Sequence, residues 1–117
     1  MQVKLRALQN FVGGQFVDSD GDVMTLIDPS TGEAFAETAN SSRADVDRAF
    51  AAASQAFPGW RDATPAQRSL ALLKIADTLE ASAERIVAAE CENTGKPLAL
   101  TMSEEVPPMI DTIRFFA

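Results

Sequence analysis

Phe11-Val12-Gly13-Gly14-Gln15-Phe16-Val17 decides how the first third of this chain folds. Two apolar pairs flank a Gly-Gly dipeptide. A two-residue loop that closes a hairpin needs positive φ, which glycine adopts without steric cost. After it, Ser19-Asp20-Gly21-Asp22 reads as a turn, and Val23 to Ile27 as a strand that must end at Asp28-Pro29. Pro29-Ser30-Thr31-Gly32 is a turn tetrad, with proline fixing φ and glycine at its exit. Glu33 to Thr38 then returns as a strand. Residues 9–38 therefore read as two successive β-hairpins, preceded by an N-terminal arm at residues 1–8 and opening a segment that continues through residue 117.

The remainder reads as about four helices. Ser42 and Asp45 have the spacing of a capping box with Asp in the acidic position. Val46, Phe50, Ala53 and Phe57 share one face of the first helix, and Pro58-Gly59 is expected to end it. Thr64-Pro65-Ala66-Gln67 starts the second: threonine caps, proline takes the first helical position and glutamine reaches back. Leu72, Ile75, Ala76 and Leu79 form its buried stripe. A third helix is expected over residues 83–94, burying Ile86, Val87 and Cys91, and stopped by Gly95 and Pro97. The fourth is expected to begin near Ser103, with Glu104 and Glu105 at its start, where the macrodipole favours negative charge. It reaches Arg114-Phe115-Phe116-Ala117 with neither a glycine nor a polar cap. That end reads as a cut through a helix and predicts further chain beyond it; the alternative is an ordinary last helix whose phenylalanines dock on the core.

Composition bounds the class. Of 117 residues, 46% are hydrophobic and 23% charged, as in ordinary globular domains. A net charge of −7 with scattered basic residues argues against a nucleic-acid partner. No run is long enough for a membrane span, and no apolar stretch follows Lys4 and Arg6, so neither a membrane nor a signal peptide is expected. The single cysteine fits a reducing, cytoplasmic setting. Histidine is absent, which removes the commonest general base and neutral metal ligand.

Motif by motif, no catalytic set emerges. Thr94-Gly95-Lys96-Pro97 lacks the earlier glycine and the hydroxyl residue of a phosphate-binding loop, and no Gly-x-Gly-x-x-Gly occurs. Cys91 stands between Glu90 and Glu92 with no histidine to activate it, the opposite of the electropositive setting a nucleophilic thiol needs. No residue of the segment is assigned a catalytic or cofactor-binding role.

The ordered set of pieces nevertheless resembles a known family. Besides the hairpin quoted above it comprises Asp28-Pro29-Ser30-Thr31-Gly32-Glu33, Asp45-Val46-Asp47-Arg48-Ala49, and Ala56-Phe57 with Trp60. Arg68 with Leu72 to Ala76, Thr94-Gly95-Lys96-Pro97-Leu98 and Arg114-Phe115-Phe116-Ala117 follow in the same order. Together they resemble the N-terminal part of the NAD(P)-dependent aldehyde dehydrogenase superfamily. The stretch Ser103 to Pro108, running into Arg114-Phe115-Phe116-Ala117, is most similar to the γ-aminobutyraldehyde branch, with betaine-aldehyde dehydrogenases close by.

The resemblance implies an α/β fold in the full enzyme, with a Rossmann-like cofactor domain that the hairpins and helices of this segment pack against. It implies oxidation of a small aldehyde, an amino-aldehyde such as 4-aminobutanal, to the acid with NAD or NADP. The cysteine nucleophile, glutamate base and cofactor turn all lie downstream in the family, so the 117-residue chain alone is expected to be inactive; Cys91 matches the end of a structural helix. Glu105, and after it Glu104, are implied to receive the substrate's ammonium group. A monovalent cation is implied to bind the backbones of Leu26 and Ile27 and the side chain of Asn93, where many relatives carry Asp. The implied partners are the aldehyde, the rest of the chain and further copies in a homo-oligomer. The competing reading is a truncated, non-catalytic product or interaction module.

Overall fold

Gly13 and Gly14 take φ of 60° and 82°, and the chain doubles back between them. The structure, a computed structural model, describes residues 5–117; the first four residues of the arm, Lys4 among them, lie outside it. Among the described residues, five strands precede the helices: β1 (Arg6–Ala7), β2 (Asn10–Val12), β3 (Gln15–Val17), β4 (Val23–Ile27) and β5 (Ala34–Ala39). They belong to a first unit that closes at Arg61, while a second runs from Asp62 to Ala117.

Both expected hairpins form. β2 and β3 pair antiparallel with Phe11 opposite Phe16, and the two rings meet edge to face with centroids 5.0 Å apart, a cross-strand pair that reinforces the turn. β4 and β5 pair antiparallel around the Asp28–Gly32 turn. There Asp28 accepts the Ser30 amide on its side chain at 2.7 Å and the Gly32 amide on its carbonyl at 2.8 Å, and Gly32 takes φ 75°. The register slips between Leu26 and Ile27, which face Ala36 and Ala34, so Phe35 is the extra residue of a β-bulge. One strand was not expected: β1 adds in parallel to β5, giving the order β1-β5-β4.

Helix α1 (Arg43–Asp62) starts at the predicted box. The Ser42 amide donates to Asp45 Oδ2 at 2.7 Å, and the Asp45 amide donates to Ser42 Oγ at 3.2 Å. Asp45 is buried and also accepts the Ser19 hydroxyl at 2.5 Å and the Arg48 guanidinium. These bonds, the one from Ser19 first, hold its carboxyl down at about 2. A carboxyl lowered on folding contributes stability above its unfolded value, about 4, and loses that contribution as pH falls toward 2. An acid titration of Trp60 fluorescence should therefore show a transition in that window, and Asp45→Asn should flatten it.

The expected stop at Pro58-Gly59 does not occur: α1 continues through both. Gly59 is not among the positive-φ glycines and so cannot act as a left-handed cap. Proline deprives only the Ser54 carbonyl of its donor, and Ser54 is exposed, where water can replace it.

The second unit is helical. Thr64 caps α2 (Pro65–Ala81) with both halves of the capping box in place. α3 (Ala83–Thr94) ends on Gly95 at φ 75°, as expected. The last helical run starts earlier than expected, as a short α4 (Leu98–Leu100). It widens into a π-turn over Thr101–Glu105 and continues as α5 (Val106–Phe116). In the π-turn the Val106 amide donates five residues back, to the Thr101 carbonyl. Two prolines explain it: as α-helix, the rings of Pro107 and Pro108 would strike the carbonyls of Ser103 and Glu104.

Ala76, Val87, Cys91, Val106 and Ile110 form the core of this unit, with Leu79, Ala83, Met102 and Ile113 packed on it. Arg114 ties α5 to α2 through Asp77 at 2.9 Å and Glu80 at 2.6 Å, which lowers the Glu80 carboxyl. Much apolar surface stays open: Phe50 and Phe57 on α1, and Phe115 and Phe116 on α5, are more than half exposed. No helix among the described residues is long and apolar enough to cross a membrane.

Candidate functional site

Glu104 and Glu105 do not start a helix. They sit more than a turn inside the run that begins at Leu98, at the end of the π-turn. The macrodipole at a helix N-terminus therefore does not account for them. What surrounds Glu105 is a groove between α3 and the π-turn, lined by Ile86, Val87, Glu90, Thr101, Glu105, Val106 and Met109. Its walls are mostly apolar and two carboxylates stand on it.

Lys96 joins those carboxylates. Its Nζ lies 2.8 Å from Glu105 Oε2 and 3.1 Å from Glu90 Oε1. The two acids raise the lysine's pKa, Glu105 most, so it stays charged. The backbone delivers it firmly. Gly95 in the left-handed conformation closes α3, its amide reaching the Cys91 carbonyl at 2.8 Å, and Pro97 restricts Lys96, the residue before it. Glu104 is exposed and has no ion-pair partner among the described residues. Glu90, Glu104, Glu105 and Lys96 together carry a net charge of −2.

Cys91 belongs to the core, with its thiol 3.6 Å from Thr101 Oγ1. Thr101 in turn donates to the Pro97 carbonyl at 3.0 Å. The proposed cation ligands fall in both units. Leu26 and Ile27 stand side by side on β4 at the bulge, where the ladder is irregular, and Asn93 is an exposed residue of α3 in the second unit. A neutral amide at Asn93 brings no charge to such a set, which weakens it relative to one with a carboxylate. No group of three or more His, Cys, Asp or Glu side chains gathers for a metal among the described residues. Sequence reasoning missed Glu90 and Lys96 as neighbours of Glu105. Lys96 lies six positions after Glu90, which is no helical spacing, and only the turn at Gly95 brings them together.

The profile of the aldehyde dehydrogenase family matches residues 16–117. The chain belongs to that family. Mouse (Mus musculus) 2-aminomuconic semialdehyde dehydrogenase is 39% identical over 114 residues, which is 97% of this chain and 23% of that protein. A long-chain-aldehyde dehydrogenase from an Acinetobacter species is also 39% identical, over 93% of this chain and 22% of its own length. Among solved structures, PnpE in complex with nicotinamide adenine dinucleotide superposes with a TM-score of 0.88 at 35% identity. It matches 93% of this chain and 23% of PnpE. The chain thus spans under a quarter of the aldehyde dehydrogenases it matches, and its fold is that of the corresponding segment of PnpE.

Proposed function

We propose that this chain is the N-terminal part of an oxidoreductase that oxidises an aldehyde, specifically an amino-bearing one, to the carboxylic acid with NAD or NADP. Family membership across residues 16–117 carries the reaction class. The reading assigns the nucleophile, the base and the cofactor contacts to chain beyond these residues. NAD or NADP, when bound by that further chain, would supply the hydride acceptor.

The groove at Glu105 supports the amino-bearing substrate. Apolar walls from Ile86, Val87, Val106 and Met109 suit a short hydrocarbon chain, and the acidic rim suits an ammonium at its end. A carboxylate beside an apolar wall attracts a cation more strongly than one in open water. The name of the mouse relative also carries an amino group, whereas that of the Acinetobacter relative does not.

The test is nicotinamide reduction by the protein expressed from its complete reading frame, with 4-aminobutanal and propanal as substrates. Glu105→Gln should raise KM for the aminoaldehyde about five-fold relative to propanal, the scale of a half-exposed ion pair. An unchanged KM ratio would remove Glu105 from the substrate site.

A further inference from the structure

We infer that Lys96 is a specificity-determining residue that restrains the enzyme's affinity for cationic aldehydes by occupying the carboxylates an incoming ammonium needs. The inference rests on the amino-aldehyde reading of the groove. Its own observation is that Lys96 Nζ already bonds both acids of the groove, Glu105 at 2.8 Å and Glu90 at 3.1 Å. The lysine ammonium and the ammonium of an ω-aminoaldehyde are the same chemical group. Glu105 therefore meets the substrate as half of an existing pair, and the newcomer must share or displace Lys96.

The geometry permits such an exchange. All three side chains are 41–49% exposed, so the pair is solvated and its partners can separate. Gly95 and Pro97 restrict the lysine backbone, and the two carboxylates draw the ammonium back when the substrate leaves. Pairing also changes what the rim offers: Glu90 and Glu105 carry −2 alone and −1 with Lys96. An aldehyde with a distal carboxylate would meet the lysine instead of the acids, so one residue discriminates in opposite directions between the two charge classes.

The experiment compares KM for 4-aminobutanal with KM for propanal in the protein from its complete reading frame. It uses the unaltered protein, Lys96→Met, Lys96→Gln, Lys96→Arg, Glu90→Gln, Glu105→Gln and the Lys96→Met/Glu105→Gln pair. Lys96→Met should lower the aminoaldehyde-to-propanal KM ratio about three-fold, and Lys96→Arg should leave it in place. Glu90→Gln, which leaves Lys96 to Glu105 alone, should raise the ratio, and Lys96→Gln, which also removes the lysine's charge and should lower the ratio, decides the matter if Lys96→Met does not fold. The double variant should lose the gain of Lys96→Met. A Lys96→Met change equal for both aldehydes, or a Glu90→Gln ratio that does not rise, would overturn the inference. With Glu105→Gln alone still raising the ratio, the substrate reading would survive that result. A Glu105→Gln ratio equal to that of the unaltered protein would overturn both.

Discussion

Ile110→Ala should destabilise the helical unit by about 2–5 kcal/mol, the cost of emptying a buried aliphatic position. Ile110 is 3% exposed and shares its core with Ala76, Val87, Cys91 and Val106. α5 reaches this core across a π-turn, so the loosening should be felt at the Cys91 end of α3 as well. Cys91 is the only cysteine of these residues, and the residue is 8% exposed. Labelling of the Cys91 peptide by a thiol reagent therefore reports opening of this core. At about 1.4 kcal/mol per factor of ten, the lower bound predicts labelling about 30-fold faster. Asp111→Ala, at an exposed polar position of α5, should change the rate less than about two-fold. Equal rates for the two variants would place the core elsewhere.

Gly21→Ala should cost the strand unit about 1–3 kcal/mol or more, the range for forcing atoms into filled space. The reason is room rather than φ, for Gly21 is not among the positive-φ glycines. A Cβ built there would lie 1.8 Å from the Asn40 carbonyl oxygen and 2.7 Å from its carbon. Both are backbone atoms, and the Asn40 amide is held to the Asp22 carbonyl at 2.7 Å, so they cannot retreat without breaking the junction that follows β5. Gly59→Ala provides the contrast. It lies in α1 with nothing within 4 Å of a built Cβ, so it should stabilise by about 0.4–1 kcal/mol. Denaturant midpoints read from Trp60 should move in opposite directions for the two variants.

Local chemistry was legible in the sequence wherever a residue acts on its own neighbours. Gly13-Gly14 announces its turn because two positive φ values have few other sources, and Thr64 to Gln67 because both halves of the box lie within four residues. Gly95 announces the end of α3 in the same way. Reading failed where a breaker is tolerated by its surroundings. Pro58 sits on an exposed stretch of α1 that water can repair, and Pro107-Pro108 bend the run into a π-turn without starting it. Reading also missed β1, whose parallel pairing with β5 joins residues about thirty positions apart.

The site was legible only in part. Glu105 could be placed by resemblance, but its charge could not be judged without Lys96 and Glu90, which reach it through a turn. The apolar stripe of α1 was read correctly as a stripe. Its Val46, Phe50 and Phe57 are nonetheless 46%, 71% and 56% exposed, because periodicity marks a face that wants a partner and not the partner itself. The proposed partner is the rest of the same chain.

The most direct test of that central claim is the intact mass of the protein isolated from its source. The chain calculated at 12.5 kDa spans 23% of the mouse relative. A mass about four times larger is the predicted result, and it would supply the nucleophile, base and cofactor site that these residues lack. A mass of 12.5 kDa would contradict the account, leaving an aldehyde dehydrogenase segment with no chemistry of its own.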